Sequence, residues 1–219
     1  MLVQDYMTKH PLMGRLTMSI SEVQHYMADN DLRHLPVVGD GKRLLGLVTR
    51  QSLLVEPVRL RSLDVWEISR YLTTESIDVV MIPADDVITI KGDATIEDAA
   101  RTMVRNRVGC LPVVEDGIVV GIITETDLLA QLAEIMACSA DIPAVRATVQ
   151  MPNRTGNLAK MVQAIAAQDW GILALGGAVN RDDPAVWDAV VKIDNVTKDA
   201  VREVLGEVEG HRVTDLREA

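Results

Sequence analysis

The chain has no phenylalanine, three tryptophans and three tyrosines in 219 residues. So few aromatics argue against a surface that stacks nucleic-acid bases. Cysteine is equally sparse. Cys110 and Cys138 are the only two, they lack metal-ligand spacing, and both sit among apolar residues. They are expected to be buried, inert, reduced thiols of a cytoplasmic protein, and no metal site is expected. Positive charge is in deficit: 22 basic against 32 acidic side chains leave a net charge of −10. An acidic surface repels phosphate backbones and anionic lipid, so neither nucleic acid nor a membrane is expected as a main partner. No apolar run approaches ~18 residues, so no membrane span is expected. The start, Met1-Leu2-Val3-Gln4-Asp5, has no basic signal-peptide region. Four histidines, at 10, 25, 34 and 211, fall in no nucleophile or zinc motif, and there is no Walker loop. Neither catalysis nor a catalytic cofactor is expected.

What the chain does have is apolar material, 48% of residues, and an internal repeat. Ile20 to Val38 matches Ile96 to Val114 at a shift of 76, with Leu35-Pro36-Val37-Val38 meeting Leu111-Pro112-Val113-Val114. After one residue is lost, Gly46-Leu47-Val48-Thr49 meets Gly121-Ile122-Ile123-Thr124 at a shift of 75. A repeat on this scale is read before anything else. Ile96, Ala99, Ala100 and Met103 mark one helical face; Leu111–Val114 and Ile118–Ile123 are apolar strands around an Asp116-Gly117 turn. A further helix from about Thr124 is expected to bury Leu128, Leu129 and Leu132. Each repeat therefore reads helix, strand, turn, strand, helix, and two must pack together to cover both sheet faces. Between them a connecting helix is expected over 63–72, with Trp66 and Tyr71 as packing anchors.

The paired Leu-Pro-Val-Val strands, the Gly-x-x-Thr-x-x-Asp run before the last helix, and Met7-Thr8 with Pro11 near the start resemble the CBS (cystathionine-β-synthase) domain, which pairs into a Bateman module. The boundaries expected are 1–55 for the first domain, 56–77 for the connection and 78–138 for the second. The resemblance implies a cleft for an adenine nucleotide such as AMP or ATP, or for S-adenosylmethionine, as a regulatory ligand. Its site residues would be Asp127 and Thr124 on ribose or phosphate, with Ile123, and the backbone of Asp86, Val87 and Ile88 and of Gly109, Cys110, Leu111 and Pro112 on adenine. Arg33, His34 and Arg107 are candidate phosphate contacts. A carboxylate suits a vicinal diol, and a helix N-terminus suits a phosphate. Thr124 and Asp127 also fit a helix-capping box, so Asp127 either binds or caps, and Thr124 can do both. In the first repeat Ser52 stands where Asp127 stands in the second. A charged hydrogen bond exceeds a neutral one by ~1 kcal/mol, so a first-repeat site at His10, Pro11, Thr49 and Ser52 should be about tenfold weaker or differently used.

After Cys138 the pattern changes. Val145, Ala147, Val149 and Met151 alternate with polar residues, Leu158, Met161, Val162 and Ile165 form a helical stripe, and two apolar strands, a second stripe and a short strand through Val213 follow. The order βαββαβ is ferredoxin-like. With Pro152-Asn153-Arg154-Thr155-Gly156-Asn157-Leu158 opening its first helix, the segment 143–219 resembles an ACT domain. That implies an amino-acid loop at Asn153, Gly156, Asn157 and Leu158. The alternative is a tight loop capped by Asn157 or Thr155. The fold class expected is thus α/β (α+β), a CBS pair plus an ACT-like domain, an order similar to the acetoin-utilisation AcuB-type family. The implied function is that of a non-catalytic ligand sensor. The alternative is an assembly module with a vestigial cleft. A homodimer is expected in either case, and an unidentified regulated protein is the other expected partner.

Overall fold

The computed structural model describes residues 1–53, 64–137 and 142–218. Cys138, Leu63 and most of the expected 139–143 linker lie outside them. The chain forms two compact units, Met1–Leu128 and Leu129–Ala219.

In the first unit the two repeats build similar three-stranded antiparallel sheets. Helix α2 (Ile20–Asp29) and strands β2 (His34–Val38) and β3 (Leu44–Thr49) come from the first repeat; α4 (Ile96–Asn106), β5 (Cys110–Glu115) and β6 (Ile118–Thr124) come from the second. Equivalent caps start the two helices. Ser19 Oγ accepts from the Glu22 N–H at 3.2 Å, and Thr95 Oγ1 accepts from the Asp98 N–H at 3.1 Å. Each helix buries one stripe on its own sheet: Ile20, Val23 and Met27 in the first repeat, Ala99 and Met103 in the second.

The third strand of each sheet is supplied by the other repeat's leading segment. Strand β1 (Thr8–Lys9) pairs with β6, Thr8 opposite Ile122 and Lys9 opposite Gly121. Strand β4 (Ile82–Pro83) pairs with β3, Ile82 opposite Leu47 and Pro83 opposite Gly46. From Gly14 onward the chain returns to its own repeat, through a bridge to Val37; Ile90 does the same with Val113. The strand exchange therefore crosses the sequence boundaries at 55 and 78. Residues 2–9 belong to the second repeat's sheet and 76–83 to the first repeat's. The crossing segments bring the two sheets together over Leu47, Val87, Cys110 and Ile122.

Two expectations for helix faces fail. The connecting helix α3 runs Val65–Thr74, and Tyr71 packs on the first core, but Trp66 is 84% exposed. In α5 (Glu125–Ile135) Leu128 packs inward, while Leu129 and Leu132 are 64% and 55% exposed.

The second unit is a four-stranded antiparallel sheet in the order β10-β7-β9-β8, built from β7 (Ala144–Pro152), β8 (Ile172–Val179), β9 (Val186–Asp194) and β10 (Arg212–Glu218). The βαββαβ order and this strand order make it ferredoxin-like. Alternate residues of β7 and β9 meet Met161 and Ile165 of α6 (Asn157–Ala166) and Val201 and Leu205 of α7 (Lys198–Gly206) in one core.

Candidate functional site

The strand exchange decides which residues meet. Because residues 10–13 cross from one repeat to the other, His10, Pro11 and Leu12 pass over the end of β6 and line a cleft in the first unit. Its other walls are Asp31 to His34, leading into β2, and Gly109, Ile122, Thr124, Glu125 and Thr126 of the second repeat. The cleft has a volume of ≈ 480 Å³, inside the roughly 300–1,000 Å³ range of small-molecule sites.

Of the expected residues, the cleft gathers Thr124, Gly109, Arg33 and His34, and it adds His10 and Pro11 from the set assigned to a separate first-repeat site. Strand β1 lies on the second sheet, and the residues after it line this cleft together with Thr124, not with Thr49 and Ser52. Asp86, Val87 and Ile88 separate from this cleft for the mirror-image reason. They follow β4, and the turn Ala84–Asp86 lies against β3 of the first repeat. Val87 and Cys110 are buried in the core shared by the two sheets, Leu111 and Ile123 in the second repeat's own core, and Pro112 is buried too. Arg107, exposed in a left-handed turn at the end of α4, is not on the cleft wall. Thr49 and Ser52 are occupied with each other: the Thr49 N–H donates to Ser52 Oγ, and the Ser52 N–H to Thr49 Oγ1, both at 3.0 Å.

Asp127 caps. Its Oδ2 accepts from the Thr124 N–H at 2.8 Å and from Thr124 Oγ1 at 2.7 Å, and its own N–H reaches Thr124 Oγ1 at 3.4 Å. This box closes the start of α5 and orients the Thr124 hydroxyl at the cleft wall. Asp127 itself is not on that wall.

Among the described residues the charged side chains on the cleft wall are Asp31, Arg33 and Glu125, with His10 and His34 as its imidazoles. Arg33 has no ion pair with a described residue, whereas Asp31 is bridged to Arg50 at 2.8 Å. The Glu125 carboxylate lies over Gly109, 3.4 Å from where a β-carbon on that glycine would stand. It also acts on the half-buried His34, whose pKa is lowered from its ordinary 6.5 by burial first; Glu125 opposes the shift and Arg33 adds to it. At Cys110 burial, helped by Glu125, pushes the thiol up to about 12. That thiol is inert, as expected. Sequence reasoning missed Asp31 and Glu125 as cleft residues, because only tertiary packing brings the two repeats to one cleft.

His34 gives the first unit a pH dependence. A depressed pKa means that the neutral imidazole is the form the fold favours. Its contribution is complete above pH 6.5 and is lost as pH falls through the lower folded value. Denaturant melts between pH 7.5 and 5 should therefore fall more steeply for the parent than for His34→Gln; parallel profiles would remove His34 from the account.

In the second unit Asn153, Gly156 and Leu158 line a smaller hollow of ≈ 270 Å³ with Arg154, Thr155 and Trp187. Neither Asn157 nor Thr155 caps α6; the N-cap is Gly156 itself, at φ 93. Asn157 instead donates from Nδ2 to the Pro152 carbonyl at 3.0 Å, and Asn153 Nδ2 donates to the Pro184 carbonyl at 3.1 Å. These bonds fix the loop and leave the N-terminal amides of α6 without side-chain caps. Among the described residues no group of His, Cys, Asp and Glu is arranged to hold a metal, and no helix is long and apolar enough to cross a membrane.

Two repeats that exchange edge strands around a shared cleft define a paired-repeat architecture, and the comparisons give it a family. The CBS-domain family model matches residues 3–58 and 77–134. The chain belongs to the CBS-domain family. A structure described as an acetoin utilization protein (AcuB) from Vibrio cholerae is 30% identical, covers 64% of this chain and 95% of that one, and superposes with a TM-score of 0.53. The uncharacterized protein MJ1225 of Methanocaldococcus jannaschii is 30% identical over 60% of this chain and 47% of its own length. A homoserine O-acetyltransferase of Methanocorpusculum labreanum is 31% identical over 62% of this chain and 25% of its own. The chain thus spans about a quarter to a half of the length of these curated relatives. CBSX2, solved with AMP, is 23% identical with a TM-score of 0.52 and shares the fold.

Proposed function

We propose that this is a non-catalytic regulatory protein that senses an adenosyl ligand in the cleft beneath Thr124. One observation carries the reading: the exchanged loop His10–Leu12, the Arg33–His34 corner and the Thr124 hydroxyl converge on a single cleft of nucleotide size. The AMP bound by CBSX2, a protein of the same fold, supports it. In this reading Thr124 meets ribose or phosphate, Arg33 and His34 meet phosphate, and the Asp127 box holds Thr124 in place rather than binding ribose. Ligand shifts the packing of the two repeats by its differential affinity for two arrangements. The match to homoserine O-acetyltransferase covers too little of that enzyme to carry its activity here.

The C-terminal unit reads as an ACT-like domain of an AcuB-type regulator, with the Asn153–Leu158 hollow sized for an amino acid. The chain works as a cytoplasmic homodimer. Edge strand β8 favours that: it carries no charge across Ile172–Val179, whereas the other edge, β10, carries Arg212, Asp215, Arg217 and Glu218. Charges on an edge block further pairing, and their absence leaves it open.

AMP and S-adenosylmethionine titrated calorimetrically into the full chain test the cleft. At least one should bind, and Thr124→Val should weaken it about fivefold through the loss of a hydrogen bond worth ~1 kcal/mol. Asp127→Ala should lower stability by about 0.5–2 kcal/mol through the cap. Silence from both ligands, or an unaltered affinity in Thr124→Val, would end this reading.

A further inference from the structure

The cleft also carries a charge pattern that selects among adenosyl ligands. Arg50 and Glu125 are equivalent positions of the two repeats. The Arg50 N–H donates to the Arg33 carbonyl and the Glu125 N–H to the Gly109 carbonyl, each at 3.0 Å. Their side chains have opposite charge and separate fates. The Arg50 guanidinium is spent on the Leu32 carbonyl at 3.0 Å and on Asp31 at 2.8 Å. The Glu125 carboxylate rests over Gly109 on the cleft wall, near enough to His34 to act on it. Among the described residues the wall therefore offers one arginine without an ion pair, Arg33, alongside His10 and His34. Against it stand Glu125 and the Arg50-paired Asp31, while burial lowers the pKa of His34.

Resting on the adenosyl reading above, we infer that the cleft takes an adenosyl ligand with at most one phosphate and rejects nucleoside polyphosphates, Glu125 being the residue that discriminates. Arg33 can pair one phosphate. Each further phosphate adds negative charge beside Glu125, and among the described residues the wall holds no second arginine or lysine to meet it. An unpaired like charge facing the wrong ligand is an efficient specificity device.

The test uses the full chain, with adenosine, AMP and ATP titrated calorimetrically in EDTA at pH 7.5. AMP should bind at least about tenfold tighter than ATP, the scale of one like-charge contact at an intermediate dielectric. Glu125→Gln should raise ATP affinity roughly five- to tenfold and leave adenosine within about twofold. Arg33→Gln should weaken AMP and spare adenosine, and melting curves confirm that each variant is folded. Adenosine or AMP binding alongside ATP that binds equally or better, or an AMP-to-ATP ratio unmoved by Glu125→Gln, overturns the inference and leaves the adenosyl reading standing. Binding by none of the three overturns the inference, and S-adenosylmethionine titrated in parallel then decides whether the adenosyl reading falls with it.

Discussion

Val3→Asp is expected to remove about 3–5 kcal/mol of stability, and to remove it from the second repeat rather than the first. Val3 is 0% exposed. It packs with Ala99, Met103, Leu111, Val113 and Ile123, all more than ninety positions later in the chain. Its N–H donates to the Ala94 carbonyl at 2.8 Å, and Leu2 bridges Thr95, so the segment is stitched to the second repeat before β1 begins. A carboxylate there would be buried among these apolar side chains, and burying an unpaired charge is among the most destabilising single changes. Hydrogen exchange resolved by segment is the appropriate measurement. Protection should fall across 96–124 and persist across 144–218. Val3→Ala, which removes two methyl groups, should show the same pattern at about 1.5 kcal/mol. Unchanged protection across 96–124 in Val3→Asp would contradict the exchange. Ile77 is the counterpart in the first repeat, equally buried at 0% against Ile20, Leu35 and Val48.

That exchange explains why the sequence was legible in some places and opaque in others. The repeated core was readable because burial writes a period into the chain. Ile96, Ala99 and Met103 recur at helical spacing and are buried as a stripe, and the alternation Val145, Ala147, Val149, Met151 gives one covered face of β7. The βαββαβ order followed from the same periods. The leading segments carry no such period. Val3, Met7 and Thr8 answer to Ile77, Met81 and Ile82 at a shift of 74, but only the methionine is identical. A two-residue strand leaves almost no pattern, and its partner is fixed by tertiary packing alone. Residues adjacent to those strands are therefore hard to assign to a repeat from sequence: His10 and Pro11 line the cleft with Thr124, and the turn Ala84–Asp86 lies against β3. The capping alternative for Asp127 was visible because a box needs only a four-residue spacing. The exposure of Leu129 and Leu132 was not, since an apolar helical residue looks the same whether a neighbour covers it or not.

Gly46→Ala is expected to lose about 1–3 kcal/mol, and more than the equivalent Gly121→Ala. Both glycines stand where an exchanged strand crosses the sheet, opposite Pro83 and Lys9 respectively. A β-carbon on Gly46 would stand 2.5 Å from the Ile82 carbonyl oxygen and 2.7 Å from Met81 Sδ. The oxygen belongs to the backbone of β4 and moves only if the pairing with β3 opens. A β-carbon on Gly121 collides with the Met7 side chain alone, and a thioether can take another rotamer. Identical motif positions in the two repeats thus have unequal tolerance. At roughly 2–4 °C per kcal/mol for a chain of this size, the gap between the two variants is readable in thermal melts. The glycine of Gly-x-x-Thr serves the crossing strand, and the threonine three residues later serves the cleft; a single exchange of edge strands places both. Should Gly121→Ala prove the more damaging, the Ile82 carbonyl is not the contact that makes glycine obligatory, and the crossing at β3 must be looser than the one at β6.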